Sequence, residues 1–181
     1  MWGVDLHGGV VARVGITEAS PQGTAWSQVG GSAVGMKAVS VGATGHVWAV
    51  NRTGQVFVRR GVSSRHPLGD LWEPVHGRLA AVAVGVHAVW GTDPEEQVWI
   101  RTALGAGARG SAWSRVDGQM RDISVGPTGH VWGVTSDARL WRREGTTRDR
   151  PEGTGWCQVQ GALGGDETRR VASVSAGACQ I

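Results

Sequence analysis

The chain has no tyrosine, one phenylalanine, one lysine (Lys37) and two cysteines among its 181 residues. Two cysteines, Cys157 and Cys179, cannot form a dense disulfide framework, so burial of apolar surface must supply the stability; both pairing and free thiols remain open for them. No apolar run approaches the roughly 20 residues that span a bilayer as a helix, so no transmembrane segment is expected. The start, Met1-Trp2-Gly3-Val4-Asp5, shows neither the basic nor the apolar region of a signal peptide. Also missing are Gly-x-Ser-x-Gly, a phosphate-binding loop, Cys-x-x-Cys and His-Glu-x-x-His, so no catalysis, cofactor or metal is expected. Zinc-finger spacing and the aromatic strands of RNA-recognition motifs are absent as well. The net charge of +3 is too small an excess to indicate nucleic acid, though it leans towards anionic partners.

Tryptophan, by contrast, is abundant and periodic. Trp2, Trp48, Trp90 and Trp132 are spaced 46, 42 and 42 residues apart. Trp26, Trp72, Trp113 and Trp156 follow them by 24, 24, 23 and 24 residues. Trp99 and Trp141 lie nine residues after an opening Trp, where the other units carry Phe57 and Val11. Self-similarity at about 40–50 residues marks units that cannot bury their apolar faces alone.

Each unit reads as strands. In the second, Val47-Trp48-Ala49-Val50 ends in the turn signal Asn51-Arg52-Thr53-Gly54, and Gln55-Val56-Phe57-Val58-Arg59 follows. A loop over 61–69 leads to Trp72-Glu73-Pro74-Val75, and then to the small-residue run Val82-Ala83-Val84-Gly85. These segments are short and bounded by breakers, which excludes stable helices. Four strands in about 42 residues predict an all-β chain of four four-stranded propeller blades. Small residues belong nearest the axis, and the wide indoles belong between neighbouring sheets.

The pattern is clearest in Val39-Ser40-Val41-Gly42-Ala43-Thr44-Gly45-His46-Val47-Trp48 and Ile123-Ser124-Val125-Gly126-Pro127-Thr128-Gly129-His130-Val131-Trp132. It resembles the tectonin repeat over essentially all of 1–181, taken as one propeller region with units opening near 2, 48, 90 and 132 and a last inner strand near 171–177. The ring is either closed with four blades or part of a larger propeller. The resemblance implies a non-catalytic binding or scaffold module. One branch of the family serves autophagy and vesicle traffic, which implies protein partners or anionic lipid headgroups and a cytoplasmic, membrane-associated location. The other branch comprises secreted lectins for lipopolysaccharide or amino-sugar glycans. The long loops are closer to the first branch.

Two sets of residues are candidates for ligand contact. Arg13, Arg59, Arg101 and Arg143 recur two residues after the Val11, Phe57, Trp99 and Trp141 position. They are read either as clamps on a neighbouring Trp or loop carbonyl, or as cations for phosphate or carboxylate. His46, His87 and His130 precede opening strands and gather on one rim, where loop residues meet partners. The tetrads at Trp26, Trp72, Trp113 and Trp156 match an aromatic-x-x-aliphatic peptide motif, but a blade strand cannot also be a free peptide. Asp5, Asp93 and Asp137 read as turn formers, and Asn51-Arg52-Thr53 as an N-glycosylation triplet.

Overall fold

The computed structural model describes residues 1–31, 35–102, 104, 109–160, 171 and 173–176. The described residues form fifteen strands and no helix: β1 (Trp2–Val4), β2 (Val10–Val14), β3 (Ala25–Gln28), β4 (Met36–Val41), β5 (Val47–Asn51), β6 (Gln55–Arg59), β7 (Trp72–Arg78), β8 (Ala81–Val84), β9 (Val89–Thr92), β10 (Gln97–Arg101), β11 (Ser114–Gln119), β12 (Asp122–Val125), β13 (Val131–Val134), β14 (Leu140–Glu144) and β15 (Gly155–Gln158). Consecutive strands pair antiparallel into blades β4-β5-β6-β7, β8-β9-β10-β11 and β12-β13-β14-β15. The first blade, β1-β2-β3, has three strands rather than the four expected of every unit. Its inner strand would have to come from residues preceding β1 or from another segment. Residues 173–176, part of the last inner strand expected near 171–177, form no ladder among the described residues and lie beside β12, as β8 lies beside β4. There Val174 N–H donates to Asp122 Oδ2 at 3.1 Å and Ala176 N–H to Ser124 Oγ at 2.9 Å. The insertion at 161–170 and Cys179 fall outside the described residues; Cys157 is an exposed free thiol.

The core lies between blades. Each of three apolar clusters joins one blade to the next: Val10, Ala12 and Val29 with Met36, Val47 and Trp72; Trp48, Val56 and Val75 with Leu79, Val82 and Val84; Trp90, Ile100 and Val116 with Met120, Ile123 and Val131. This is the dependence that the repeat period predicts, since each sheet face is covered by its neighbour.

Two repeated glycines explain how the blades come so close. A Cβ on Gly42 would stand 2.6 Å from Val84 Cγ1, and one on Gly85 would stand 2.8 Å from Val125 Cγ1. The small-residue strands therefore do line the crowded axis. Farther out, Gly31, Gly77 and Gly118 adopt φ values of 115°, 127° and 96°, and each receives the outer Trp of the next blade. At Gly77 a Cβ would sit 2.9 Å from Trp113 Cδ1, while the Trp113 indole N–H donates to the His76 carbonyl at 2.9 Å. Trp156 repeats that bond to the Asp117 carbonyl at 2.8 Å. Gly77→Ala is expected to cost about 1–3 kcal/mol, from the positive φ and from displacing Trp113 out of its seat. Urea unfolding reads this; a change below about 0.5 kcal/mol would show that the seat is not tight.

The opening and outer tryptophans pair across the same interfaces, edge to face. Ring centroids are 6.4 Å apart for Trp2–Trp72, 6.0 Å for Trp48–Trp113 and 6.3 Å for Trp90–Trp156. Such pairs contribute about 0.5–1.5 kcal/mol beyond area burial. Trp26 departs from the expectation that every indole is wedged between sheets. It is 53% exposed, because no described residue stands before the first blade to cover it. Phe57, Trp99 and Trp141 are half-buried, as are Trp2 and Trp132.

Candidate functional site

The turns that open each blade are built from one device. The side-chain oxygen three residues after the opening Trp accepts the backbone N–H four residues further on: Asp5 from Gly9 and Asn51 from Gln55 at 2.8 Å each, Asp93 from Gln97 at 2.8 Å, and Thr135 from Arg139 at 3.2 Å. Asp5 and Asp93 are thus turn formers as read from the sequence. In the fourth unit, however, the position belongs to Thr135 rather than Asp137, which accepts the Thr135 hydroxyl. Backbone N–H donation, from Gly9 first, holds the Asp5 pKa below the ordinary carboxylate value. Asn51 is buried, and its carboxamide also bonds Gln55 Oε1 at 2.8 Å and the Thr53 hydroxyl at 2.8 Å. A side chain so enclosed is no glycan acceptor in the folded chain.

The four repeated arginines sit over the outer indole of their own blade. The guanidinium carbon lies 5.6 Å from the Trp26 ring for Arg13, 5.3 Å from Trp72 for Arg59, 5.6 Å from Trp113 for Arg101 and 5.3 Å from Trp156 for Arg143. Each also gathers the carbonyls of the long loop. Arg59 donates to Leu68 at 2.7 Å and Gly69 at 3.1 Å, and reaches back to Gly30 of the preceding blade at 2.7 Å. Arg13 does the same to Gln22 and Gly23, Arg101 bonds the Arg109 carbonyl, and Arg143 the Glu152 carbonyl at 2.7 Å. Arg143 Nη1 also stands 2.7 Å from Asp117 Oδ1 across the blade interface. Arg59, Arg101 and Arg143 are buried. Burial lowers the pKa of Arg59 and of Arg101 from the usual guanidinium value; Asp70 opposes this at Arg59 and Arg109 adds to it at Arg101. Of the two readings the sequence allowed, this geometry is that of the clamp.

The histidines divide differently. His46 is half-buried, with Nδ1 3.2 Å from the Thr44 hydroxyl, and it lines a small cleft of about 130 Å³ with Arg60 and Val62. Desolvation lowers its pKa below 6.5. His87 and His130 are exposed. The third blade's turn is one residue shorter, so His87 stands at its tip and Ala88 takes the position of His46 and His130. His87 lines a polar cleft of about 210 Å³ shared with the fourth blade, whose other walls include Thr128, Thr146, Thr147 and Arg148. The structure therefore brings His87 to the turn that carries His130 and leaves His46 in a separate cleft. Among the described residues no group of three His, Cys, Asp or Glu side chains is placed to hold a metal. Sequence reading missed Thr146, Thr147 and Arg148, because only the fold carries the β14–β15 loop over the inner turns.

A depressed histidine pKa has a definite sign. Below pH 6.5 the unfolded chain protonates at this position before the folded one, so stability falls as pH drops through 6.5 towards the folded-state pKa. His46→Gln is expected to flatten that part of the stability–pH profile, read by urea midpoints from pH 7.5 to 5; an unchanged slope would discard the assignment.

A ring-like array of antiparallel blades with clefts on its turn rim defines the β-propeller class. A model of the tectonin domain matches residues 1–176. The chain is 40% identical over 179 residues to a tectonin beta-propeller repeat-containing protein of Drosophila melanogaster, covering 88% of this chain and 13% of that protein. It is 29% identical over 86 residues to the fish-egg lectin of Cyprinus carpio, covering 46% of this chain and 36% of the lectin. The solved structure of human WBSCR16 superposes with a TM-score of 0.65 at 13% identity, over 97% of this chain and 53% of that one. The chain belongs to the tectonin domain family. It spans well under two thirds of the length of each of these proteins. Among the described residues there is no helix long and apolar enough to cross a membrane.

Proposed function

We propose that the chain is a non-catalytic binding module whose ligand sites are the polar clefts on the turn rim, and that the ligand is a glycan, as the name of the carp relative suggests for that protein. The observation that carries this is the cleft between the third and fourth blades. Thr128, Thr146, Thr147, His87 and Arg148 line about 210 Å³ of open space there. Hydroxyl and imidazole groups both donate and accept, which suits sugar hydroxyls, and a single cation suits a phosphate or carboxylate substituent. His46 and His130 extend the same rim, while the buried arginines shape the loops from below. Weak sites on one rigid body gain avidity on a repetitive surface.

The reading is tested on a glycan array, followed by titration of the best ligand into Thr147→Ala/Arg148→Ala. We expect saturable sugar binding that the double variant weakens about tenfold or more with the thermal midpoint unchanged; no sugar binding at millimolar ligand would overturn it. A second reading, an adaptor for protein or anionic lipid in membrane traffic, is favoured by the net charge of +3, which leans towards anionic partners. Retention on anionic liposomes that falls with salt, without sugar binding, would select it.

A further inference from the structure

The repeated arginines are not equally occupied. Between the first and second blades, Arg59 crosses the interface and its Nη1 donates to the Gly30 carbonyl at 2.7 Å. Between the third and fourth, the corresponding carbonyl, of Asp117, accepts the Trp156 indole N–H at 2.8 Å, and Arg143 Nη1 pairs with the Asp117 carboxylate at 2.7 Å instead. Between the second and third, the carbonyl is that of His76, and the Trp113 indole takes it at 2.9 Å. His76 has no carboxylate to offer in exchange. Arg101 keeps its Nε bond to the Arg109 carbonyl, but among the described residues its Nη groups meet no acceptor and no carboxylate pairs with it. It is nonetheless only 8% exposed. A buried cation is ordinarily held by an anion, because an unpaired one is costly to take out of water.

Arg101 lines a cleft of about 500 Å³ between the second and third blades, whose apolar walls are Leu79, Trp99 and Trp113. Both indoles have already spent their N–H groups, Trp99 on Asp93 Oδ2 at 2.8 Å and Trp113 on the His76 carbonyl, so they offer a ligand only ring carbon. The Asp93 carboxylate is committed as well, since its Oδ1 accepts the Gln97 N–H at 2.8 Å. Apolar walls around one placed polar group, in a volume of this size, define a small-molecule site. The cleft thus differs in kind from the one lined by His87 and three threonines, and a polyhydroxylated ligand would find little to bond in it.

We propose that this cleft is a second binding site, for a flat apolar anion of the aromatic carboxylate class. The ring lies against Leu79, Trp99 and Trp113, and the carboxylate accepts from the unspent Nη groups of Arg101. A planar guanidinium matches a carboxylate with two parallel hydrogen bonds, and such charge-assisted bonds are the stronger kind. The ligand does for Arg101 what the Asp117 carboxylate does for Arg143. That equivalence places the site at this interface and not at its two neighbours, where the arginine's cross-blade donor is spent inside the protein.

Calorimetric titration of naphthalene-2-carboxylate into the unaltered chain should show saturable binding at submillimolar concentration. Naphthalene-2-carboxamide, the same ring without the charge, should bind about tenfold more weakly or worse. In an NMR titration with the carboxylate, the indole N–H signals of Trp99 and Trp113 should move most among the ten. Arg101→Met would also loosen the loop that Arg101 clamps, so the charge is better cancelled from the facing position. His76→Asp rebuilds the Asp117 arrangement and supplies Arg101 with an internal anion. It should weaken carboxylate binding about tenfold or more, with the thermal midpoint unchanged or raised. No binding at millimolar carboxylate, equal binding of acid and amide, shifts confined to other indoles, or undiminished binding by His76→Asp would each overturn the proposal.

Discussion

Trp48→Ala should destabilise the protein by about 3–5 kcal/mol, the largest effect expected of any single truncation here. The indole is wholly buried, packed with Val50, Val56 and Val58 of its own blade against Leu79, Val82 and Val84 of the next. Its removal leaves a cavity that two sheets cannot close, and it deletes the edge-to-face partner of Trp113. Because the core lies between blades, the loss is felt on both sides. Trp132→Ala should cost clearly less, since Trp132 is half-buried and has no counterpart of the Trp48–Trp113 pair among the described residues. Urea unfolding of both variants at a concentration where the oligomeric state is known measures the difference. Equal losses would mean that the outer face of the fourth blade is as enclosed as the interior interfaces.

Arg59→Met should cost about 2–4 kcal/mol although it keeps much of the side-chain volume. The guanidinium serves three carbonyls, those of Leu68, Gly69 and Gly30, and its removal leaves buried acceptors unsatisfied. It also abolishes the stacking on Trp72, itself a contributor of about 0.5–2 kcal/mol. Arg59→Lys should recover little, because a compact ammonium cannot reach three carbonyls arranged around a planar fork. The equivalent change at Arg13 should be milder, as that side chain is half-buried and its indole partner is open to solvent. Unfolding midpoints of the three variants decide this. If Arg59→Met is near neutral while anion binding disappears, the arginine is a ligand group and the clamp reading falls.

Much of the architecture was legible without coordinates. The Trp spacing marks four units, the breakers mark strands too short for helices, and the run Val82-Ala83-Val84-Gly85 marks the crowded axis. Each depends on local chemistry: a period, a turn residue, a side-chain volume. Gly31, Gly77 and Gly118 each fall five residues after an outer Trp, a spacing whose meaning the sequence does not carry. Gly77 exists for Trp113, which lies thirty-six residues away and in another sheet. The arginines show the same limit. Their position two residues after an aromatic was plain, yet ligand cation and loop clamp share one sequence pattern, and only the carbonyls of Leu68, Gly69 and Gly30 around Arg59 distinguish them.

The sequence alone determined that the chain repeats and that its units are sheets, because these follow from composition at fixed spacing along the chain. Tertiary structure decided that the first blade has three strands among the described residues, that His87 and His46 occupy separate clefts, and that Thr146, Thr147 and Arg148 join His87. Those outcomes depend on which blade stands beside which and on how a one-residue difference in turn length moves a side chain along the rim. Contacts between segments distant in the chain leave no mark on the local pattern of either.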